Sequence, residues 1–582
     1  MKEPKKKIKS HLEFLYNEKE ASWVATEIRK LVKKFRKNNP TRAARKSKDF
    51  FTEKDAVLIT YGDQIQTSGE KPLRTLNDFL TRKVDSEFNT IHLLPFFPYS
   101  SDAGFAITDY RSVNSALGDW NDIENIKERF NLMVDAVINH ASRENKWFKE
   151  FMDDNPEFKD FFIEVDDSWD LSRVVRPRDN HLITETSKTN TSKRVWTTFS
   201  SDQVDLNYAN PRVLLKIIDL LLFYIEKGAE VIRLDAIAYL WKKSGTTCIH
   251  LEETHRVIKL FRAVLDIAAP QVALITETNV PHEENISYFG SDGDEAQMVY
   301  QFTLPPLVLD AFIREDSSKL VEWADDLEYP DSESTFFNFL ASHDGIGLRP
   351  AEGILPKVAI DRMVKRTKKH GGYISYKSDS DGSKSPYELN ITYFDALSDP
   401  QGKESIELQV SRFMSSQAIM LAFQGVPGVY FHSLVGSRNY QQGVEETGQK
   451  RTINREKFTL RQIEKGLTQS NSVRKKVFER FKSLLQIRRK EKAFHPSANQ
   501  RVLDPRPEVF TLLRSPEDSA DVLCLHNVTG DNIKILPGPE LLQELDGSQG
   551  SDLLTGEQFD LLPQGEVEIS MEPYQVLWLK II

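Results

Sequence analysis

The sequence predicts an α/β fold: a (β/α)8 TIM barrel with small inserted domains, a helical N-terminal extension and a C-terminal antiparallel β domain. Three observations predict it. Eight short apolar, strand-like runs recur at 56–60, 90–95, 132–138, 231–235, 272–277, 297–302, 336–342 and 426–431. Helical patterns lie between them, at 76–82, 122–130, 211–226, 251–269 and 406–423, and strand–helix alternation makes parallel βαβ units. Charged residues then gather at the C-terminal ends of the runs, where a barrel of this kind keeps its chemistry. The competing architecture is an open doubly wound sheet, but no Gly-rich phosphate fingerprint follows the first run.

The chain opens on a basic helical segment. Residues 1–50 carry 16 Lys+Arg against 6 Asp+Glu, a net of +10 within a chain of −10, so the remainder carries −20. An acidic body argues against a nucleic-acid enzyme. Ile28, Leu31, Val32 and Phe35 fall on one helical stripe, and Asn38-Asn39-Pro40 ends it, so 1–54 reads as a helical layer packed on a larger body. The two cysteines, Cys248 and Cys524, lie far apart without metal spacing, which fits a reducing compartment. No apolar leader segment and no run of about 18 apolar residues is present. A cytoplasmic protein with no membrane and no nucleic-acid partner is expected. Assembly as a homo-oligomer is left open.

The barrel is assigned to 55–140, 206–344 and 400–496. Two connections are too long for plain loops. Residues 141–205, rich in Asp, Asn, Arg, Trp and Phe, read as an inserted domain. Residues 345–399 form a second insertion, holding the flexible tract 377–384. From 497 to 582 short alternating runs predict an antiparallel β domain.

Five run ends carry chemistry. Asp102 follows the second, Asn139-His140 the third, Arg233-Leu234-Asp235 the fourth, Thr276-Glu277 the fifth and His343-Asp344 the seventh. Arg233 and Asp235, two apart on a strand, point to one face. Alone they read equally well as a buried ion pair; five such ends on one rim read as a site. The histidines have no metal-ligand spacing and there is no G-x-S-x-G elbow. Paired carboxylates flanking a bond are what glycosidic cleavage needs: one protonates the leaving oxygen, the other attacks. Arg233 would keep Asp235 ionised and nucleophilic, and Glu277 would need a raised pKa. Tyr239, just past the fourth run, would line the same pocket.

With these motifs in place, over roughly 55–582, the chain resembles the retaining α-glucosidic enzymes of glycoside hydrolase family 13. Asp135-Ala136-Val137-Ile138-Asn139-His140, Arg233-Leu234-Asp235-Ala236, Thr276-Glu277 and Ser342-His343-Asp344 carry the resemblance. It implies Asp235 as nucleophile, Glu277 as general acid/base and Asp344 as the carboxylate gripping the sugar hydroxyls. It implies Asp102, His140, Arg233, His343 and Arg455 around the glucosyl unit. Within the family the chain is similar to the sucrose phosphorylase group, through His92-Leu93-Leu94-Pro95-Phe96-Phe97-Pro98, Asp102-Ala103-Gly104-Phe105, Leu117-Gly118-Asp119-Trp120, Arg176-Pro177-Arg178 and Ile453-Asn454-Arg455. That implies phosphate as the second substrate, bound by Arg178 with help from Tyr387. On spacing alone, Arg176 and Arg178 could equally be surface arginines.

Some residues depart from sucrose phosphorylases: Glu388 in place of Gln, Ala106 in place of Asp, the extension at 1–50, and the run 435–448. The extension, Pro386-Tyr387-Glu388-Leu389-Asn390 and the run 435–448 look more like glucosylglycerate phosphorylases. Glycerate would call for a cation, either Arg438 or Lys377. The resemblance implies reversible, retaining phosphorolysis of 2-O-α-D-glucosyl-D-glycerate to α-D-glucose 1-phosphate and D-glycerate, through a covalent glucosyl-Asp intermediate, by a disaccharide-phosphorylase-type hexosyltransferase. The substrates are a small-molecule α-glucoside and inorganic phosphate, with no cofactor. Sucrose, sucrose 6′-phosphate and glucosylglycerol remain alternative substrates; a hydrolase, a transglucosidase and an inactive carbohydrate-binding barrel are lesser alternatives. Asn139 matches a calcium-binding asparagine of many amylases, but that site is absent from the phosphorylases, so no metal is expected.

Overall fold

The computed structural model describes residues 2–44, 50–188, 191–291, 293–330, 333–378, 383–535, 549–561 and 569–582. Each of the eight expected runs holds one barrel strand. These are β1 Val57–Thr60, β2 Thr90–Leu93, β3 Asn131–Ala136, β4 Ala229–Leu234, β5 Ala273–Thr276, β6 Met298–Tyr300, β7 Thr335–Asn338 and β8 Val426–Tyr430. All neighbours pair in parallel and β1 closes the ring by pairing with both β2 and β8. The strands are apolar on both faces because side chains fill the barrel on one side and helices cover the other.

Most strands stop short of the runs that announced them. β3 ends at Ala136, β4 at Leu234 and β7 at Asn338, so Asp235 and His343 stand in the turns beyond, and His140 opens a short strand, His140–Ser142, past the end of β3. Register brings those turns together. Asp135 pairs with Arg233 across β3–β4, and Ile275 with Arg233 across β4–β5. Asp235 N then donates to Ala136 O at 3.2 Å, and Glu277 N to Leu234 O at 3.2 Å. The nucleophile and acid/base candidates thus sit level on adjacent strand ends.

The helix before β4 shows how the sequence sets these positions. The helix Pro211–Lys227 starts with Asn210 capping Arg212 N and Pro at its first turn. It stops at Gly228, whose φ of 112° suits only glycine and turns the chain directly into β4. The N-terminal layer is α1 (Lys2–Leu15) and α2 (Glu18–Asn38), laid against the helix Pro211–Lys227 and the helix Glu252–Ala268. Val24, Ile28, Val32 and Phe35 form the buried face of α2, with Leu31 at its edge. Tyr16 OH pins the layer by donating to Tyr208 O at 2.9 Å.

Residues 141–205 contain a short helix, Lys146–Met152, and the antiparallel pair Ile183–Lys188 with Thr191–Trp196. After β7 come the short strand Ile346–Gly347, the helix Lys357–Lys369 and the hairpin Tyr373–Ser378 with Lys384–Asn390. Within the tract read as flexible, 379–382 lie outside the described residues. Among the described residues, the C-terminal region holds an antiparallel sheet of six strands that includes Val509–Ser515, Val522–Asn527 and Val576–Ile581. No described helix is long and apolar enough to cross a membrane.

Candidate active site

Three non-glycine residues near the pocket adopt left-handed backbone, Asp102 (φ 52°), Ala103 (φ 50°) and Ala236 (φ 50°). Such strain persists where the surroundings enforce it. At Ala236 it has a use: the turn after β4 aims Ala236 N at Glu277 Oε2, 3.0 Å away.

The pocket above the barrel is walled by Asp102, His140, Arg178, Asp235, Glu277, His343, Asp344 and Tyr387, all anticipated from sequence. Arg233 lies beneath them, 2% exposed. Its Nη1 is 2.5 Å from Asp135 and 2.8 Å from Asp235, and its Nη2 is 3.8 Å from Glu277. Burial pushes the Asp235 carboxyl up to about 6 in spite of Arg233. The expectation that Arg233 would keep Asp235 ionised is therefore modified: burial outweighs the guanidinium, and the charge of Asp135 adds to the rise. Burial pushes Glu277 higher, to about 7; Arg233 opposes, while the charge on Asp235 adds to the rise. Burial raises both carboxyls, and Glu277 further than Asp235, the order that a nucleophile and its acid partner need.

Asp344 differs. Burial would raise it, but Arg451, His343 and Arg455 outweigh burial and hold it well below the usual carboxylate range. Arg451 Nη1 lies 2.5 Å from Asp344 Oδ1, and Arg455 donates to His343 O at 2.7 Å. Asn454 Nδ2 donates to Asp344 O at 2.9 Å, so the segment Lys450–Asn454 grips the rim of β7. His343 stacks on Phe105 with centroids 4.8 Å apart. His140 Nε2 lies 3.0 Å from Phe105 O and 3.1 Å from Gln203 Nε2, and its Nδ1 lies 3.2 Å from Asn139 Nδ2. Burial lowers its pKa and keeps it neutral. Asp102 is held at about 2 against burial by Arg178, Arg451 and Arg455.

Tyr239 sits behind the wall, edge-on to Phe199 at 5.5 Å. Tyr387 meets Asn279 Nδ2 at 3.4 Å. Glu388 is behind Arg451, 3.0 Å from its Nη2. Arg438 is not brought to the pocket. Its guanidinium pairs with Asp395 at 2.8 Å and covers Phe394 at 4.6 Å, so its charge is spent on a buried carboxylate of the barrel's flank. Lys377 reaches Glu352 at 2.9 Å. Sequence reasoning missed Arg451, Phe199, Gln203 and Asn279. Only Arg451 left a signal, as a second arginine four residues before Arg455. Asn139 Oδ1 accepts from Lys242 Nζ at 2.9 Å, and the same ammonium is 2.5 Å from Asp205.

With this geometry described, comparison with known proteins decides the family. The α-amylase catalytic domain matches residues 84–344. A glucosylglycerate phosphorylase of Spirochaeta thermophila is 51% identical over 90% of this chain and 89% of its own. One from Escherichia coli is 43% identical over 99% of this chain and 100% of its own. This chain belongs to the glucosylglycerate phosphorylase family. Among solved structures, sucrose 6F-phosphate phosphorylase from Thermoanaerobacter thermosaccharolyticum superposes with a TM-score of 0.71 at 26% identity, covering 82% of this chain and 94% of that one. The glucosylglycerate phosphorylase family is thus set on the amylase-type barrel, and sucrose phosphorylases are its more distant relatives.

Proposed function

We propose that the chain catalyses reversible phosphorolysis of 2-O-α-D-glucosyl-D-glycerate to α-D-glucose 1-phosphate and D-glycerate, through a glucosyl ester on Asp235. The near-complete alignment with family members that bear this name carries the reading. Glu277, protonated, gives its proton to the glycosidic oxygen while Asp235 attacks the anomeric carbon, and glycerate leaves. Phosphate enters from the same side, its oxygen attacks that carbon, and Asp235 is released as carboxylate. Glu277 takes up the phosphate proton. Two inversions retain the α configuration. Asp344, held ionised by Arg451, grips the sugar hydroxyls, with Asp102, His140, His343 and Arg455 around the ring.

Glycerate and phosphate are both anions and occupy the same face in turn, so one cation can serve both. Arg178 suits this role. Its side chain is 32% exposed, it packs over Phe199 at 5.4 Å, and its contact with Asp102 is 3.6 Å long. Arg233, Arg451 and Arg455 are committed to closer partners. Inorganic phosphate acts as a substrate, and the reaction needs no cofactor or metal; the proposed setting is the cytoplasm. The test runs the reaction backwards. Glucose 1-phosphate is offered with D-glycerate, glycerol, fructose or fructose 6-phosphate, and released phosphate is measured. D-Glycerate is expected to lead; a preference for fructose overturns the assignment.

A further inference from the structure

The ester on Asp235 is open to two nucleophiles, and water far outnumbers phosphate. Attack by water forms a bond from its oxygen to the anomeric carbon, breaks the ester, passes a proton to Glu277 and yields glucose. A phosphorolytic enzyme must therefore keep water off the ester while phosphate arrives. Residue 388 stands where this control could be exerted. Glu388 is 2% exposed, yet all its charge is used. Its Oε1 accepts from Gly345 N at 2.5 Å and lies 3.0 Å from Arg451 Nη2, and its Oε2 accepts from Arg451 Nε at 3.2 Å. The remaining arm of the same guanidinium holds Asp344.

This arrangement joins two elements. Glu388 belongs to the hairpin strand Lys384–Asn390, which also carries Tyr387 into the pocket. Arg451 belongs to the segment after β8 that grips the rim of β7. Among the described residues the hairpin pairs with the segment after β7 at Ile346 with Leu389 and Gly347 with Glu388, and Leu348 N donates to Tyr387 O at 2.9 Å. The approach at Gly345 is close: a Cβ there would stand 2.5 Å from Glu388 Cγ and 2.6 Å from Leu389 O. A bidentate carboxylate–guanidinium contact is directional as well as strong, so it fixes the hairpin in place.

We propose that Glu388, clamped on Arg451, is a specificity-determining positioning residue that holds Tyr387 over the acceptor side of the pocket and so favours phosphate over water. This rests on the phosphorolytic reading above. Glu388→Gln keeps the size but loses the charge and one of the two acceptor oxygens. Arg451→Lys also removes the fork that holds Asp344, so it lowers formation of both products together.

The test supplies glucosylglycerate and phosphate and measures glucose and glucose 1-phosphate. Glucose 1-phosphate from the unaltered enzyme supports the underlying reading, and its absence defeats that reading independently of the latch. In Glu388→Gln the ratio of glucose to glucose 1-phosphate is expected to rise by about tenfold, the loss of one charge-assisted contact. Glu388→Asp, which keeps the charge but shortens the reach, is expected to raise it too. It supplies the measurement if the Gln variant does not fold. A folded variant of either kind with a ratio within about twofold of the unaltered enzyme overturns the proposal.

Discussion

Arg233 divides one guanidinium nitrogen between Asp135 and Asp235, at 2.5 and 2.8 Å. The partner that shares Arg233 therefore sets how far the nucleophile candidate is stabilised as an anion. Asp135 is fully buried, hydrogen-bonded to His92 Nε2 at 2.7 Å, and its charge raises the Asp235 pKa. Arg233, Glu277, Asp344, His343 and Tyr300 also bear on this pair. Asp135→Asn leaves Arg233 to Asp235 and removes a neighbouring negative charge. The acid limb of kcat/KM is expected to move down by about one pH unit. An unmoved or raised limb in a folded variant contradicts this sharing.

The pH profile of the unaltered enzyme follows from the same pair. Attack needs Asp235 ionised, so activity falls below about 6. Leaving-group protonation needs Glu277 protonated, so kcat/KM for the glucoside falls above about 7. A narrow bell between these limbs is expected from initial rates across pH 4.5–9. Activity still rising at pH 9 would remove Glu277 from the acid role.

Asp235→Asn should abolish turnover in both directions, by at least ~10³-fold, and also change stability. The folded-state pKa of Asp235 lies above its unfolded value, so the ionised group works against folding at neutral pH. That cost is absent below the unfolded pKa, near 3.9, and complete above the folded pKa, about 6. The Asn variant is expected to melt higher than the parent at pH 8, by on the order of 1–3 kcal/mol, and to converge with it toward pH 4. Near-parental phosphorolysis would end the nucleophile assignment.

What the sequence made legible were residues that break a local rule. Asp235, Glu277 and Asp344 are carboxylates ending apolar strands, a placement that burial penalises unless it is used. Strand period and the helices between gave the barrel for the same reason. Side chains on irregular segments carry no such signal. Arg438 and Arg451 are both arginines in loops after β8, and nothing local says that the first turns to Asp395 while the second turns to Asp344. Phe199 and Gln203 belong to the inserted segment, Gln203 on its short strand Gln203–Asp205, and Asn279 to the loop after β5, so their places at the pocket depend on how those segments fold over the barrel.

Arg438→Ala tests that distinction. Arg438 lies off the pocket, so KM for D-glycerate and phosphate should stay within about twofold. Stability should fall by about 1–3 kcal/mol, because Asp395 is 1% exposed and loses its charged partner while keeping, among the described residues, Asn439 N at 2.8 Å. A large KM change with an unaltered melting temperature would return Arg438 to the acceptor site.

Lys242 supplies the last test, because an ammonium stands against the two residues, Asn139 and Asp205, that could otherwise attract a cation. Asp205 is fully buried and also accepts from Thr198 N at 2.9 Å and Thr198 Oγ1 at 2.6 Å. Its strand, Gln203–Asp205, pairs with His140–Ser142, so the cluster ties residues beyond β3 to the turn after β4. Lys242→Met removes the charge but keeps the stem, leaving Asp205 with hydrogen bonds and no cation. Breaking one side of a buried pair costs about 3–5 kcal/mol, so a clear drop in melting temperature is expected. If the ammonium is the only cation this cluster uses, EDTA will leave the melting temperature and activity of the unaltered enzyme unchanged, and added calcium will not raise them. A chelator-sensitive parent would show that a metal ion contributes where Lys242 was taken to suffice.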